Sequence, residues 1–378
     1  MRMPRRGEEN AVKTYLSWIL LFVAAQAALS ALQFLLRRWK PHPVVHAGII
    51  LLKAVLAVGL AYLVMAGPVF LRPVQPLLVA VYAVLLPDAA ADLISSLVCA
   101  VGRRERKFGP AKLLSLALGL LFFVYGTVNM QIVTPEYHTY TSAKLTQTHR
   151  VVFVSDLHVG SSQSMETTRN TIRSIQAAHP DVVILGGDIT DDYTTKEEME
   201  ETYRLFGELG VPVYFIDGNH EVVQHAEYLR GGLPYTQQEL TDAMERSGII
   251  VLKDAYVSLS PDLLLLGRED AAAGDARQSA ASLPNPAPGA FLLVADHQPG
   301  SIREHLELGA DVQLSGHTHA GQLFPLQAVY SLAVDAYGDY VYGDAVLNVS
   351  AGASGWRVPF RTEAHSHFEV IDLVPGNG

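Results

Sequence analysis

Four apolar stretches fill the first 135 residues, and they constrain this chain more than any other feature. Tyr15 to Leu36 carries no charge, Val44 to Ala66 carries Lys53, Pro76 to Val101 carries Asp88 and Asp92 beside Pro87, and Leu113 to Val133 carries none. Each reaches the roughly 20 residues a helix needs to cross a ~30 Å hydrocarbon core. Residues 1–135 are therefore expected to form a four-helix transmembrane bundle. A cleaved signal peptide competes for the first stretch, because Arg5-Arg6 precedes it and Ala27 and Ala28 lie near its end. That stretch is long for a signal peptide, and three more candidates follow it.

Charge divides the chain at the same place. Residues 1–149 carry a net +9 and residues 150–378 a net −19, for a total of −10. Only 17% of residues are charged, against about 25% in ordinary soluble domains. A basic apolar half before an acidic half reads as membrane segments joined to a water-soluble domain. The acidic half repels nucleic acid, so no nucleic-acid partner is expected. The single cysteine, Cys99, excludes an intramolecular disulfide and a cysteine-based zinc site.

Inside the stretches, Lys53, Asp88 and Asp92 are either a polar site within the bundle, a structural Lys–Asp pair, or the mark of a third helix that ends near Pro87. The short connectors give an orientation. Connectors one and three hold Arg37, Arg38, Lys40, Arg103, Arg104, Arg106, Lys107 and Lys112, against Arg2, Arg5, Arg6, Lys13, Arg72 and Lys144 on the other side. The positive-inside rule then places the soluble domain outside the cytoplasm, in an integral protein of the cell membrane.

Residues 136–149 read as a linker or entry strand, and 150–378 as the soluble domain. There, short Val/Ile/Leu runs each end in polar residues: Val151–Val154 before Asp156 and His158, Val182–Leu185 before Asp188, Val211–Ile216 before Asn219 and His220, Phe291–Val294 before His297, and Val312–Leu314 before His317 and His319. Such runs read as buried strands. Helical spacing over Ser164–His179 and Thr195–Leu209 completes a strand–helix–strand alternation, which predicts an α/β domain with a largely parallel sheet core. Ligands sit beyond the carboxyl ends of such strands, so one sheet edge is expected to gather all five clusters. Strand-like runs after Val341, including Phe368–Leu373, predict a second sheet. Residues 271–290 read as a surface loop and Val222–Leu240 as a lid.

Two Asp, one Asn and four His at strand ends suit divalent metals that accept mixed oxygen and nitrogen ligands. Two metals sharing one carboxylate use seven residues, and a metal pair is able to hold a phosphate and acidify a hydroxide for in-line displacement. His220 is left over as a proton donor. Taken singly, each cluster has an ordinary explanation: Gly186-Gly187-Asp188 a turn, Asn219-His220 a helix cap, His297 a core histidine, His317-Thr318-His319 a single structural metal site. Their joint occurrence at strand ends argues against all of these together.

The series Asp156-x-His158, Gly187-Asp188-x-x-Asp191, Gly218-Asn219-His220-Glu221, His297 and Gly316-His317-x-His319 resembles the calcineurin-like metallophosphoesterase superfamily over about residues 148–374. Gly316–Gln322 and Asn348–Gly355 are most similar to bacterial membrane-associated enzymes of the YkuE/YaeI kind, and the four spans resemble those of transmembrane proteins carrying a metallophosphoesterase domain. The resemblance implies an αββα two-sheet sandwich and two metals from among Mn, Fe, Zn, Ni and Mg. It implies Asp156, His158 and His319 on the first metal, Asn219, His297 and His317 on the second, and Asp188 bridging. His220 would protonate the leaving oxygen or contact the phosphate, oriented by Asp191.

One departure bears on substrate. Protein Ser/Thr phosphatases have an Arg directly after the position of Asp191, where this chain has Asp192. A carboxylate there disfavours a doubly charged monoester and favours a diester or pyrophosphate. Arg268 and Arg361 remain as phosphate contacts or as surface salt-bridge residues. The expected function is a membrane-anchored, two-metal phosphoesterase acting by metal-hydroxide attack on a lipid-linked or cell-envelope substrate. The alternative is a membrane sensor or transporter whose phosphoesterase-like domain binds a phosphate ligand without turnover.

Overall fold

The computed structural model describes residues 6–36, 42–103, 107–223, 233–286 and 289–376. Arg2, Arg5, Arg37, Arg38, Lys40, Arg104 and Arg106 of the orientation count lie outside the described residues, as does the 224–232 part of the expected lid. The chain forms two compact units, Met1–Thr127 and Val128–Gly378.

The first unit is helical. Its helices are α1 (Arg6–Leu36), α2 (Pro43–Ala66), α3 (Gln75–Val101) and α4 (Phe108–Gln131), the last running on into the second unit. All four are long and apolar enough to cross a membrane. α3 is the most enclosed, burying Ala80, Ala83, Ala89 and Ala91, small residues that let neighbouring backbones approach. Pro87 lies within α3 and does not end it. Lys53 Nζ sits 2.6 Å from both Asp88 and Asp92, so the structural ion pair is what the fold contains. Asp88 also accepts from Gln33 and Ser115, and Lys112 donates to Gln33 at 2.9 Å.

The second unit is built from β1 (Val133–Ser142), β2 (His149–Val154), α5 (Met165–Ala177), β3 (Val182–Leu185), α6 (Lys196–Gly207), β4 (Val213–Phe215), α7 (Asn219–Val222), α8 (Gln237–Arg246), β5 (Ile250–Val251), β6 (Ala255–Ser260), β7 (Leu263–Gly267), β8 (Phe291–Ala295), α9 (Ile302–Glu307), β9 (Val312–Ser315), α10 (Leu326–Tyr330), β10 (Gly338–Tyr342), β11 (Ala345–Val349) and β12 (Ser366–Pro375). Two six-stranded mixed sheets result, ordered β1-β12-β2-β3-β4-β5 and β10-β11-β9-β8-β7-β6. The expected helices start where the sequence signals them. Ser164 accepts from Thr167 at the start of α5, and Thr195 forms a reciprocal capping box with Glu198 at the start of α6.

Alternation along the strands explains why their sequences are apolar throughout. Val151, Phe153, Val182 and Ile184 pack between the sheets against Leu265, Phe291, Leu293 and Leu314. Their neighbours Val152, Val154, Val183 and Leu185 face the helices and meet Ile175, Met199, Tyr203 and Phe206. Strands covered on both faces read as continuous hydrophobic runs. Two expectations are corrected. Phe368–Leu373 lies in β12, which pairs with β1 and β2 in the first sheet and is no part of the second. The five polar clusters come from the ends of both sheets, three from β2, β3 and β4 and two from β8 and β9, so they do not share one sheet edge. The run expected as linker or entry strand is largely β1, bound along its length to β12.

Candidate metal centre

The parallel strands of each sheet deliver their polar ends to one region of the sandwich. Asp156 and His158 follow β2, Asp188 follows β3, Asn219 and His220 open α7 after β4, His297 follows β8, and His317 and His319 follow β9. Three overlapping groups form: Asp156, His158 and His319; His158, Asp188 and His220; Asp188, His297 and His317. In each, the ligating atoms lie within 4.8 Å of one another. Asp188 therefore belongs to a cluster on either side.

The backbone is bent to achieve this. Asp156, His158, Asp188, His317 and His319 have φ of 54°, 43°, 52°, 72° and 51°. Left-handed backbone costs a non-glycine residue about 1–3 kcal/mol each, and such strain concentrates at functional sites. Glycines supply the close approaches. A Cβ on Gly187 would overlap the Gly218 backbone, and one on Gly316 would overlap the Asp156 carboxylate. That is the physical content of the Gly-Asp and Gly-His pairs in the sequence.

The donors are aimed but not spent on each other. His297 Nε2 is 3.3 Å from Asp188 Oδ2, His158 Nε2 is 3.7 Å from the same oxygen, and His319 Nε2 is 3.6 Å from Asp156 Oδ1. Asn219 Oδ1, His297 Nε2 and both His158 ring nitrogens are buried without a hydrogen bond among the described residues. Ligands held ~2 Å from one cation lie about 3 Å apart, which these spacings approach. Second contacts orient the rings: His297 Nδ1 meets the Gly186 carbonyl at 2.8 Å and His319 Nδ1 the Ser354 carbonyl at 3.1 Å, leaving Nε2 of each to face inward. Burial holds His317 down at about 4 and His319 at about 3, so both rings are neutral, the form that ligates a metal. Burial opposes charge on His297 too, but the Asp188 and Asp156 carboxylates outweigh it and raise its pKa. The donor set fits divalent cations.

Other residues depart from expectation. No hydrogen bond joins Asp191 to His220 among the described residues, although the charge of Asp191 favours the protonated ring. Its carboxylate lies 3.3 Å from His158 Nδ1 and accepts from Ser161 and from the Tyr193 N–H. It orients a candidate ligand, because its loop follows β3 toward β2. His220 is held through its backbone N–H, which donates to Asp188 at 2.9 Å, and its ring lies 5.2 Å from that of Trp356. Arg268 and Arg361 are fully buried, not surface residues. Arg268 pairs with Asp254 at 3.0 Å, and Arg361 binds the carbonyls of His319, Ala351, Gly352 and His365. Glu221 stood in the sequence motif without a role. Its buried carboxylate accepts from the backbone of Gly218, Asp188, Ile189 and Thr190, tying the β3 and β4 ends together. Nothing in a sequence marks a carboxylate whose partners are backbone amides.

Residues 149–321 match the model of the calcineurin-like phosphoesterase family. An uncharacterized metallophosphoesterase of Helicobacter pylori is 28% identical over 246 residues, covering 62% of this chain and 62% of that protein. The chain thus spans about three-fifths of that relative's length. A transmembrane protein with metallophosphoesterase domain from Danio rerio is 25% identical, covering 69% of this chain and 62% of its own length. The uncharacterized metallophosphoesterase YkuE of Bacillus subtilis is 26% identical over 60% of this chain and 80% of its own length. The chain therefore carries a calcineurin-like metallophosphoesterase domain, preceded by four helices long and apolar enough to span a membrane.

Proposed function

We propose that this protein is a membrane-anchored, dinuclear-metal phosphoesterase whose active site is the centre at the strand ends. The observation that carries the reading is Asp188, which contributes to two donor clusters at once. Asp156, His158 and His319 would hold one divalent ion, Asn219, His297 and His317 the other, and Asp188 both. When bound, such a pair supplies a nucleophile at neutral pH and neutralises charge on the phosphoryl group.

The chain's own residues do the rest. The Gly186 and Ser354 carbonyls fix the rings of His297 and His319, and the Asp191 carboxylate faces the His158 ring at 3.3 Å, so the donors are preorganised. His220 carries the proton for the leaving oxygen. Its Nδ1 has no hydrogen-bond partner among the described residues, and its backbone is pinned by Asp188. Buried Asp192 disfavours a doubly charged monoester, which supports a diester or pyrophosphate substrate. Arg357, stacked 4.2 Å over the Trp356 ring that abuts His220, is the cation assigned to the substrate. The four helices keep the domain at a bilayer, which favours a lipid-linked or cell-envelope phosphoester, and the connector charges favour an extracytoplasmic domain.

The test uses the full chain in detergent with Mn²⁺, an aryl phosphodiester and the matching monoester. Turnover that prefers the diester, and disappears on chelation and in Asp188→Asn, is expected. Undiminished turnover by metal-stripped protein or by Asp188→Asn would overturn the mechanism.

A further inference from the structure

A second cluster of donors lies on β1 and β12, apart from the centre described above. β12 alternates: Phe368 and Val370 enter the core beside the helices, while Ile371 and Leu373 enter the core between the sheets. His367 and Glu369 fall on the same face as Ile371 and Leu373, and both are buried. Glu136 is the register partner of Glu369 on β1, so it joins them on that face. A buried polar group in line with core positions needs a partner that settles its charge.

The contacts point to what that partner is. His367 Nε2 lies 2.8 Å from Glu369 Oε1, and the Ala351 N–H also reaches it at 3.3 Å. On the other side of the ring, His367 Nδ1 faces two oxygens, Glu136 Oε2 at 3.3 Å and the His365 carbonyl at 3.0 Å. With Nε2 taken up by Glu369 and the Ala351 N–H, a ring that faces two further oxygens with Nδ1 calls for a positive centre there. A second ring proton would supply one, but it does not account for His365. The Nε2 of His365 converges on the same Glu136 oxygen at 3.6 Å, with the two rings 4.9 Å apart. All three donor atoms lie within 4.8 Å of one another. Two imidazoles and a carboxylate, with a further carboxylate behind one imidazole, form the ligand and outer-ligand pattern of a zinc-class site.

We infer that Glu136, His365 and His367 bind a further divalent ion of zinc-like chemistry, with Glu369 orienting His367. The ion is separate from the pair assigned to the active site and does not rest on that reading. His365 and Glu136 are partly exposed, so the ion has a path in and room for water. Its consequence for the other centre runs through Arg361, which grips the carbonyls of both His365 and His319. The bound ion stiffens the turn that Arg361 fastens to the His319 loop.

Equilibrium dialysis of the full-length, tag-free protein against micromolar Zn²⁺, followed by elemental analysis, tests this. Wild type should hold one more equivalent than His365→Ala and one more than Glu136→Gln, a partly exposed change that preserves shape. Asp188→Asn should still lose one equivalent when His365→Ala is added, whatever its remaining content. Equal zinc content in wild type, His365→Ala and Glu136→Gln would overturn the inference, and would leave the active-site reading standing.

Discussion

The helical unit and the phosphoesterase domain both bury ionisable side chains, and they treat them in opposite ways. In the helices, Lys53 is shared between Asp88 and Asp92, and Asp88 takes further hydrogen bonds from Gln33 and Ser115. That cluster is closed on itself. At the strand ends, Asn219 Oδ1, His297 Nε2 and both His158 ring nitrogens are buried without hydrogen bonds among the described residues, and Asp188 Oδ2 stands 3.3 Å from His297 Nε2 and 3.7 Å from His158 Nε2. Buried polar groups are ordinarily satisfied, so the first cluster reads as structure and the second as the candidate metal centre. Residue type alone does not separate the two; completeness of pairing does.

The comparison breaks if changes in the two regions have the same kind of effect. The largest expected loss is Asp188→Asn, which should abolish phosphodiester turnover and lower the bound metal measured by elemental analysis. Retained metal and turnover in that variant would class Asp188 with the closed helical cluster. Next, His220→Ala should lower kcat by about 10² to 10⁴, the usual contribution of a positioned proton donor. Unchanged metal content in this variant would separate proton transfer from metal binding. Third, Lys53→Met removes the ammonium shared by Asp88 and Asp92 and should cost about 3–5 kcal/mol of stability. Turnover per folded molecule should stay the same, and a specific loss of kcat would assign the helical cluster a catalytic role.

Core packing is expected to cost about as much. Phe153→Ala removes a fully buried ring between the sheets and should destabilise the domain by about 3–5 kcal/mol in denaturant titration. The smallest effect belongs to an exposed pair. Lys196 and the Thr236 capping hydrogen bonds hold Glu239 down at about 2. Its folded pKa lies below the unfolded one, so its stabilising contribution is present above about pH 4.5 and is lost as pH falls through about 2. Glu239→Gln should flatten that acid limb by slightly lowering stability at neutral pH, while stability at about pH 2 stays the same.

Much of the candidate centre was legible before the fold. Val151–Val154 and Val182–Leu185 read as strands because both of their faces are covered, and the residues after them then have to lie at the carboxyl end of a sheet. Helical spacing over Ser164–His179 and Thr195–Leu209 announced α5 and α6, whose first turns Ser164 and Thr195 cap through local hydrogen bonds. Other features were out of reach. Phe368–Leu373 read as a strand, but its pairing with β1 and β2 is a choice of neighbour that periodicity does not encode. Arg268 and Arg361 looked like surface cations and are buried among carboxylates and carbonyls. Asp191, three residues after Asp188, turned to His158, because a loop's direction depends on what it packs against.

Local patterns, then, are what the chain declares unaided: four candidate spans from the length of apolar stretches, strands and helices from the period of burial, and the kinds of candidate ligand from side-chain chemistry. Burial periodicity and capping act over a few residues, so they survive in one dimension. Which donors meet, which carboxylate serves which ring, and which buried charges are answered within the protein depend on residues far apart in the chain. Glu136 and His367 illustrate it: only the pairing of β1 with β12 brings them within 3.3 Å.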